Sequence, residues 1–165
     1  MEKRTVRYRL KLATWSVVRE AGEPSPRVLN HPQAVALFAR DLYRDLDDDK
    51  EHFFAVALNV RQRYLFHFHV STGSQSVAIV HPREVFGPAL REGASSVIVI
   101  HNHPSGDPTP SPEDHGLTRR LARAGELVGV RLLDHLILGN GLAGKWTSLE
   151  ERGILNGETP WEEGP

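Results

Sequence analysis

Residues 96–114 read SVIVIHNHPSGDPTPSPED, and the rest of the chain is interpreted outward from them. Val97, Ile98, Val99 and Ile100 form an unbroken apolar run, expected of a buried strand, and it leads directly into His101 and His103. Side chains alternate along a strand, so two histidines two residues apart project to the same side and can grip one ion together. Seven residues of mostly turn-forming type follow. Ser111-Pro112-Glu113-Asp114 then reads as a helix start, with Ser111 at the N-cap, Pro112 at the first helical position and acids in the first turn. Taken alone, a histidine near a strand end is usually hydrogen-bonded or solvent-facing. An Asp in a first helical turn usually just complements the helix dipole. The combination points further: a strand end, a rigid loop and a helix start would bring His101, His103 and Asp114 to one point. Three protein ligands with the fourth position left to water is the pattern of zinc chemistry. Two histidines and a carboxylate also describe the facial triad of non-heme iron oxygenases.

The spacing His101-x-His103, seven residues, Ser111, two residues, Asp114 resembles the JAMM signature of the MPN-plus (JAB domain) zinc metallopeptidases, which include isopeptidases and deubiquitinases. Three further words, VHPREVF at 80–86, HNHPSGDPTPS at 101–111 and LLDHLILG at 132–139, are similar to the RadC-like branch. The resemblance covers about residues 50–149. It implies an α/β fold, a cytidine-deaminase-like mixed sheet flanked by helices. It also implies Zn2+ held by His101, His103 and Asp114, with Glu51 as the general base and a peptide or isopeptide bond as the target. In that chemistry Glu51 takes the proton of a metal-activated water, and Ser111 donates a hydrogen bond to the developing oxyanion. Ser111 has a competing task as N-cap, and Glu51 read alone is a surface carboxylate at a strand start. The substrate implied is a peptide or protein conjugate. The DNA-repair label attached to the RadC-like name brings a rival, a DNA-processing factor or metal-dependent nuclease. A catalytically silent interaction module is a third reading, against which the intact set of Glu51, His101, His103, Ser111 and Asp114 argues. RadC-like proteins often carry a helical DNA-binding-type segment ahead of this domain. Here the expected organisation is an N-terminal strand and helix extension at 1–49 packed on the domain, a catalytic domain at 50–149 and a loose tail at 150–165.

Composition is consistent with one domain. A chain of 165 residues is long enough to bury roughly 70% of its unfolded surface. Lys plus Arg total 20 against 21 for Asp plus Glu, less basic than a strongly electrostatic nucleic-acid binder. The absence of cysteine removes disulfides, thiolate metal sites and cysteine nucleophiles together. It also argues against the zinc nucleoside deaminases, whose ligand set includes cysteine. No stretch has the apolar length of a signal peptide or a membrane span, so the expected compartment is the cytoplasm, with no membrane partner.

In chain order, residues 5–18 alternate in part and read as a strand, and 20–30, with Gly22, Pro24 and Pro26, as a loop. Val35, Leu37, Phe38 and Leu42 mark a helix over 31–46 with Asn30 as its N-cap. The acidic run at 45–49 reads as a solvated turn. Glu51 opens a strand over 52–60, residues 61–63 turn, and 64–71 return. His67-Phe68-His69 repeats the His-x-His spacing, but no Ser-x-x-Asp follows it, so it reads as a polar strand face. Residues 73–76 form a loop that would approach the substrate. His81 is expected to cap a helix begun by Pro82, with Arg83 and Glu84 as a surface pair. The next helix, 111–129, carries Leu117, Leu121, Ala124 and Val128 as its apolar stripe, with Arg119, Arg120 and Arg123 in solvent. Residues 130–138 form a strand. Its Asp134 and His135 either satisfy a buried hydrogen bond or orient a ligand histidine. Asn140-Gly141 signals a hairpin into a last strand at 145–149.

Overall fold

The computed structural model describes residues 27–47, 49–73, 80–139 and 145–155. The expected strand at 5–18, the loop at 73–76 beyond its first residue, the Asn140-Gly141 turn and the tail beyond 155 lie outside them.

Among the described residues five strands, β1 (Glu51–Leu58), β2 (Tyr64–Gly73), β3 (Ser96–Asn102), β4 (Arg131–Leu138) and β5 (Trp146–Ser148), form one sheet in the order β2-β1-β3-β4-β5. Only the β3–β4 pair is parallel, and the long connection that a parallel pair requires is α3 (Pro112–Val128). The apolar run of β3 sits at the centre of the sheet with every residue buried. Helices cover both faces. On one, α2 (Pro82–Arg91) and α3 pack Val85, Phe86, Leu117 and Leu121 against Phe53, Ala55, Val97 and Val99. On the other, α1 (Pro32–Tyr43) packs Val35, Phe38 and Tyr43 against Phe54, Val56, Ile98 and Ile100. This is the mixed α/β architecture, a sheet flanked by helices, that the resemblance implied. Among the described residues no helix is long and apolar enough to cross a membrane.

Helix starts follow local chemistry. Ser111 caps α3, and Gly129 closes that helix in the left-handed conformation (φ 74°) that glycine adopts at no steric cost. His81 caps α2, and Glu84 returns its carboxylate to the His81 N–H as the other half of a capping box rather than pairing with Arg83. At α1 the cap is His31, not Asn30: the His31 Nδ1 accepts from the Ala34 N–H at 3.2 Å. An imidazole nitrogen offers the same lone pair to the first turn as an Asn oxygen. The α3 stripe also differs from expectation, since Val128 is 42% exposed. The buried line is Leu117, Leu121 and Gly125 with Thr118. Gly125 is there because a Cβ would meet the Val130 carbonyl at 2.5 Å and the Phe86 ring at 3.0 Å, so α2 and α3 approach closely only over a bare backbone.

A bulge in β4 sets up the site. Val97 pairs with Leu132 but Ile98 pairs with Asp134, so Leu133 is an extra residue that inverts the alternation. Leu132 joins the α3 side of the core, while Leu136 and Leu138 join the α1 side. His135 is thereby turned toward the face that carries His101.

The same bulge buries Asp134. Its Oδ1 accepts from the His135 and Glu150 N–H groups at 2.7 and 3.1 Å, while its Oδ2 meets no donor in hydrogen-bonding geometry among the described residues. Burial raises its pKa, opposed by the two backbone N–H groups and by the nearby Ser148 hydroxyl. A carboxyl whose folded pKa is raised costs stability while ionised, and that cost is relieved as pH falls through the folded value toward the ordinary one. Asp134→Asn removes the charge and is therefore expected to raise the melting temperature at pH 8 by about 2–4 °C, the equivalent of about 1 kcal/mol. The gain should shrink as the pH is lowered. Thermal scans between pH 4 and 8 check this, and a gain independent of pH would show that the carboxylate charge is not the cause.

Candidate metal centre

His101, His103 and Asp114 converge where β3 ends and α3 begins, with one ligand atom of each lying within 4.8 Å of the others. His101 Nε2 lies 3.2 Å from Asp114 Oδ1, and His103 Nε2 lies 3.4 Å from Oδ2. The two Nε2 atoms are 3.0 Å apart. His101 and Asp114 are buried and His103 is partly exposed, so the cluster is reached from the His103 side.

The side chains of the cluster are held from behind. The loop after His103 folds back so that its Nδ1–H donates to the Asp107 carbonyl at 2.8 Å, which leaves the Nε2 lone pair facing the cluster. The His103 backbone N–H donates to the Leu138 carbonyl, also at 2.8 Å, fastening the loop to the end of β4. Gly139 continues that contact: a Cβ there would stand 2.5 Å from the Gly106 carbonyl and 3.0 Å from Pro108, so only glycine lets the loop lie this close. On α3 the capping box grips Asp114. The Ser111 N–H and hydroxyl both donate to Asp114 Oδ2, at 2.8 and 2.6 Å, and the Asp114 N–H donates back to the Ser111 oxygen at 3.1 Å. The Ser111 hydroxyl thus serves as N-cap and as donor to the Asp114 carboxylate at once, where the sequence left cap and oxyanion donor as alternatives.

The electrostatics agree with a cation site. Burial raises the Asp114 pKa, but His101, His103 and the Ser111 hydroxyl together override it and hold the carboxyl far below the usual range. Asp114 raises the His103 pKa against the opposing effect of burial, with the Glu51 charge adding to the rise. Two imidazole nitrogens at 3.0 Å repel unless a proton or a metal ion lies between their lone pairs. Two neutral-imidazole nitrogens and a carboxylate suit a borderline divalent cation such as zinc, so the residues present fit the group.

Glu51 is the first residue of β1. Phe53 pairs with His101 across β1–β3, and its ring stacks on the imidazole at 5.8 Å and 11°. Two residues earlier on the same strand, Glu51 shares that face. It hydrogen-bonds to none of His101, His103 and Asp114. Its backbone is clamped by a residue that the sequence reading passed over. Asn102, between the two histidines, accepts from the His52 N–H and donates to the Lys50 carbonyl, both at 2.8 Å. The signal was present in its place inside His-x-His, but its partners lie some fifty residues upstream. His135, fully buried, stands 2.8 Å from His101 Nδ1 and 2.6 Å from the Thr118 hydroxyl, a buried hydrogen-bonded position in contact with the cluster. His67 and His69 stay away from the cluster. They bond to the Tyr64 and Thr72 hydroxyls on edge strand β2, at 2.8 and 3.0 Å, as expected for a polar strand face.

Residues 29–154 match the family model described as the RadC-like JAB domain. Similar proteins include a UPF0758 protein of Desulforamulus reducens, 44% identical over 128 residues that are 78% of this chain and 54% of that one. UPF0758 protein GSU0386 of Geobacter sulfurreducens is 50% identical over 113 residues, 68% of this chain and 48% of its own length. A UPF0758 protein of Trichlorobacter lovleyi is 52% identical over 109 residues, 66% and 46% of the two chains. The chain spans about half the length of these relatives.

Proposed function

The chain belongs to the RadC-like JAB domain family, and from that membership and the geometry of its cluster we propose that it is a zinc-dependent hydrolase of the JAMM type that cleaves a peptide or isopeptide bond. The observation that carries the reading is the convergence of His101, His103 and Asp114 within 4.8 Å, with His103 held by the Asp107 carbonyl, Asp114 by Ser111 and His101 by His135. Zinc bound there would supply Lewis acidity and bring the ionisation of water from about 15.7 to about 7. His101 and His103 would hold the ion through Nε2, and Asp114 would balance its charge. Glu51, on the face of β1 that carries Phe53, takes the proton of the attacking water and returns it to the leaving amine. Ser111 keeps the Asp114 carboxylate turned toward the two rings. The backbone hydrogen bonds from Asn102 to residues 50 and 52 keep Glu51 from drifting as the proton moves.

The test compares the full chain, zinc-reconstituted and chelator-treated, on a panel of peptides, ubiquitin-like fusions and isopeptide-linked conjugates, with nicking of supercoiled DNA run in parallel. Chelator-sensitive amide cleavage is the expected result. Metal-dependent nicking of DNA without amide cleavage would move the assignment to a nuclease, and metal-independent behaviour throughout would sink both.

A further inference from the structure

One buried hydrogen-bonded path links two of the three ligands from behind. It starts at the Asp114 carbonyl, which accepts from the Thr118 hydroxyl at 2.6 Å, one helical turn along α3. The Thr118 oxygen lies 2.6 Å from His135 Nδ1, and His135 Nε2 lies 2.8 Å from His101 Nδ1. Thr118 and His135 are fully buried and His101 nearly so, so water cannot take over any of these bonds.

The order of the protons along the path follows from the chemistry of its ends. A carbonyl oxygen only accepts, so the single hydroxyl proton of Thr118 is committed to it. The Thr118 oxygen is then left to accept, so the proton of His135 sits on Nδ1. His135 Nε2 is consequently a bare lone pair, and His101 must donate to it from Nδ1. The last consequence falls on the cluster: with its proton on Nδ1, His101 presents Nε2 as a lone pair toward His103 and Asp114. We propose that Thr118 and His135 are positioning residues that select the metal-binding tautomer of His101, through a path anchored on the same helix that supplies Asp114. This rests on the reading of His101, His103 and Asp114 as metal ligands. The β4 bulge belongs to the same device, since without the extra residue at Leu133 His135 would face α1 instead.

The protons can be read without turnover. Long-range 1H–15N correlation spectra of the histidine rings, recorded on chelator-treated and on zinc-loaded protein, assign the tautomer of His135 in both. Zinc affinity is measured in parallel by competition with a chromophoric chelator. In wild type His135 is expected to carry its proton on Nδ1 with Nε2 bare. Thr118→Val keeps the shape but removes the hydroxyl, so His135 loses the acceptor that holds its proton on Nδ1. The proton is then expected to shift to Nε2, reversing His101 and weakening zinc binding by about 10- to 100-fold. Thr118→Ser is expected to restore both the ring signals and the affinity. A wild-type His135 protonated on Nε2, or on both nitrogens, overturns the proposal, and that outcome can be read even if Thr118→Val does not fold. So does a folded Thr118→Val with unchanged affinity, or one that loses affinity while the ring signals stay as in wild type, which would mark Thr118 as a packing residue only. Wild type that binds no zinc yet shows the expected tautomers would instead remove the metal reading while leaving the hydrogen-bonded path intact.

Discussion

Replacing Asp114 by alanine is expected to weaken zinc binding by about 10²- to 10⁴-fold, the equivalent of removing one partner from a buried charge pair. The size of the effect comes from where the carboxylate sits. Asp114 is 3% exposed, and it is the only anionic group in the His-His-Asp cluster. Its two oxygens stand 3.2 and 3.4 Å from the histidine Nε2 atoms. Without it, a divalent charge would be buried against two neutral rings. Asp114 also closes the capping box of α3, so alanine is expected to lower stability as well. Asp114→Asn separates the two roles: the amide retains an acceptor for the Ser111 N–H and nearly the same volume, but not the charge. Both variants should lose zinc in a chelator competition, with the asparagine variant melting closer to wild type. An alanine variant that still binds one zinc within about threefold of the wild-type affinity would rule out Asp114 as a ligand.

Glu51→Gln should behave in the opposite way, keeping zinc and losing turnover. The glutamine matches the carboxylate in size but cannot take a proton at neutral pH, and positioned general bases contribute roughly 10²- to 10⁴-fold to rate. Metal affinity should stay near wild type, because Glu51 is not among the three groups that converge and its charge is the weakest of the influences on His103. The measurement is hydrolysis of whichever amide substrate the panel yields, alongside zinc content for the same preparation. Wild-type turnover in Glu51→Gln, with activity still lost in Asp114→Ala, would place the base elsewhere in the site. Parallel loss of zinc and activity would make Glu51 a structural member of the cluster instead.

The readable parts of this molecule were those in which the informative residues are neighbours in sequence. The central strand stands out because a run of four apolar residues marks a buried segment, and like β1 it is covered by helices on both faces. The caps at Ser111 and His81 were readable because a cap and its partner are three residues apart. The one mistaken cap, Asn30 for His31, arose because adjacent residues both carry a usable lone pair and only the backbone angle at each decides between them. Val128 was placed on the buried stripe of α3 by periodicity. The actual stripe runs through Gly125, whose missing side chain is what admits Phe86. A glycine at a close approach looks, in sequence, like a weak point in a helix.

Which side chains could hold a metal follows from rules local to the chain. A strand period of two and a helix start after a stiff Pro/Gly loop are local rules, and they suffice to list His101, His103, Ser111 and Asp114 together. Only the tertiary structure decided how those side chains are aimed. That Asn102 clamps the backbone on both sides of Glu51, that Gly139 admits the His103 loop, and that His135 reaches His101 all depend on strand pairing across 30 to 50 residues and on a single bulge in β4. Register and bulges are set by how the whole sheet buries its two faces, and the proton positions around a buried histidine are set by whichever groups that burial brings within about 3 Å. Neither has a period in the chain, so neither can be read along it.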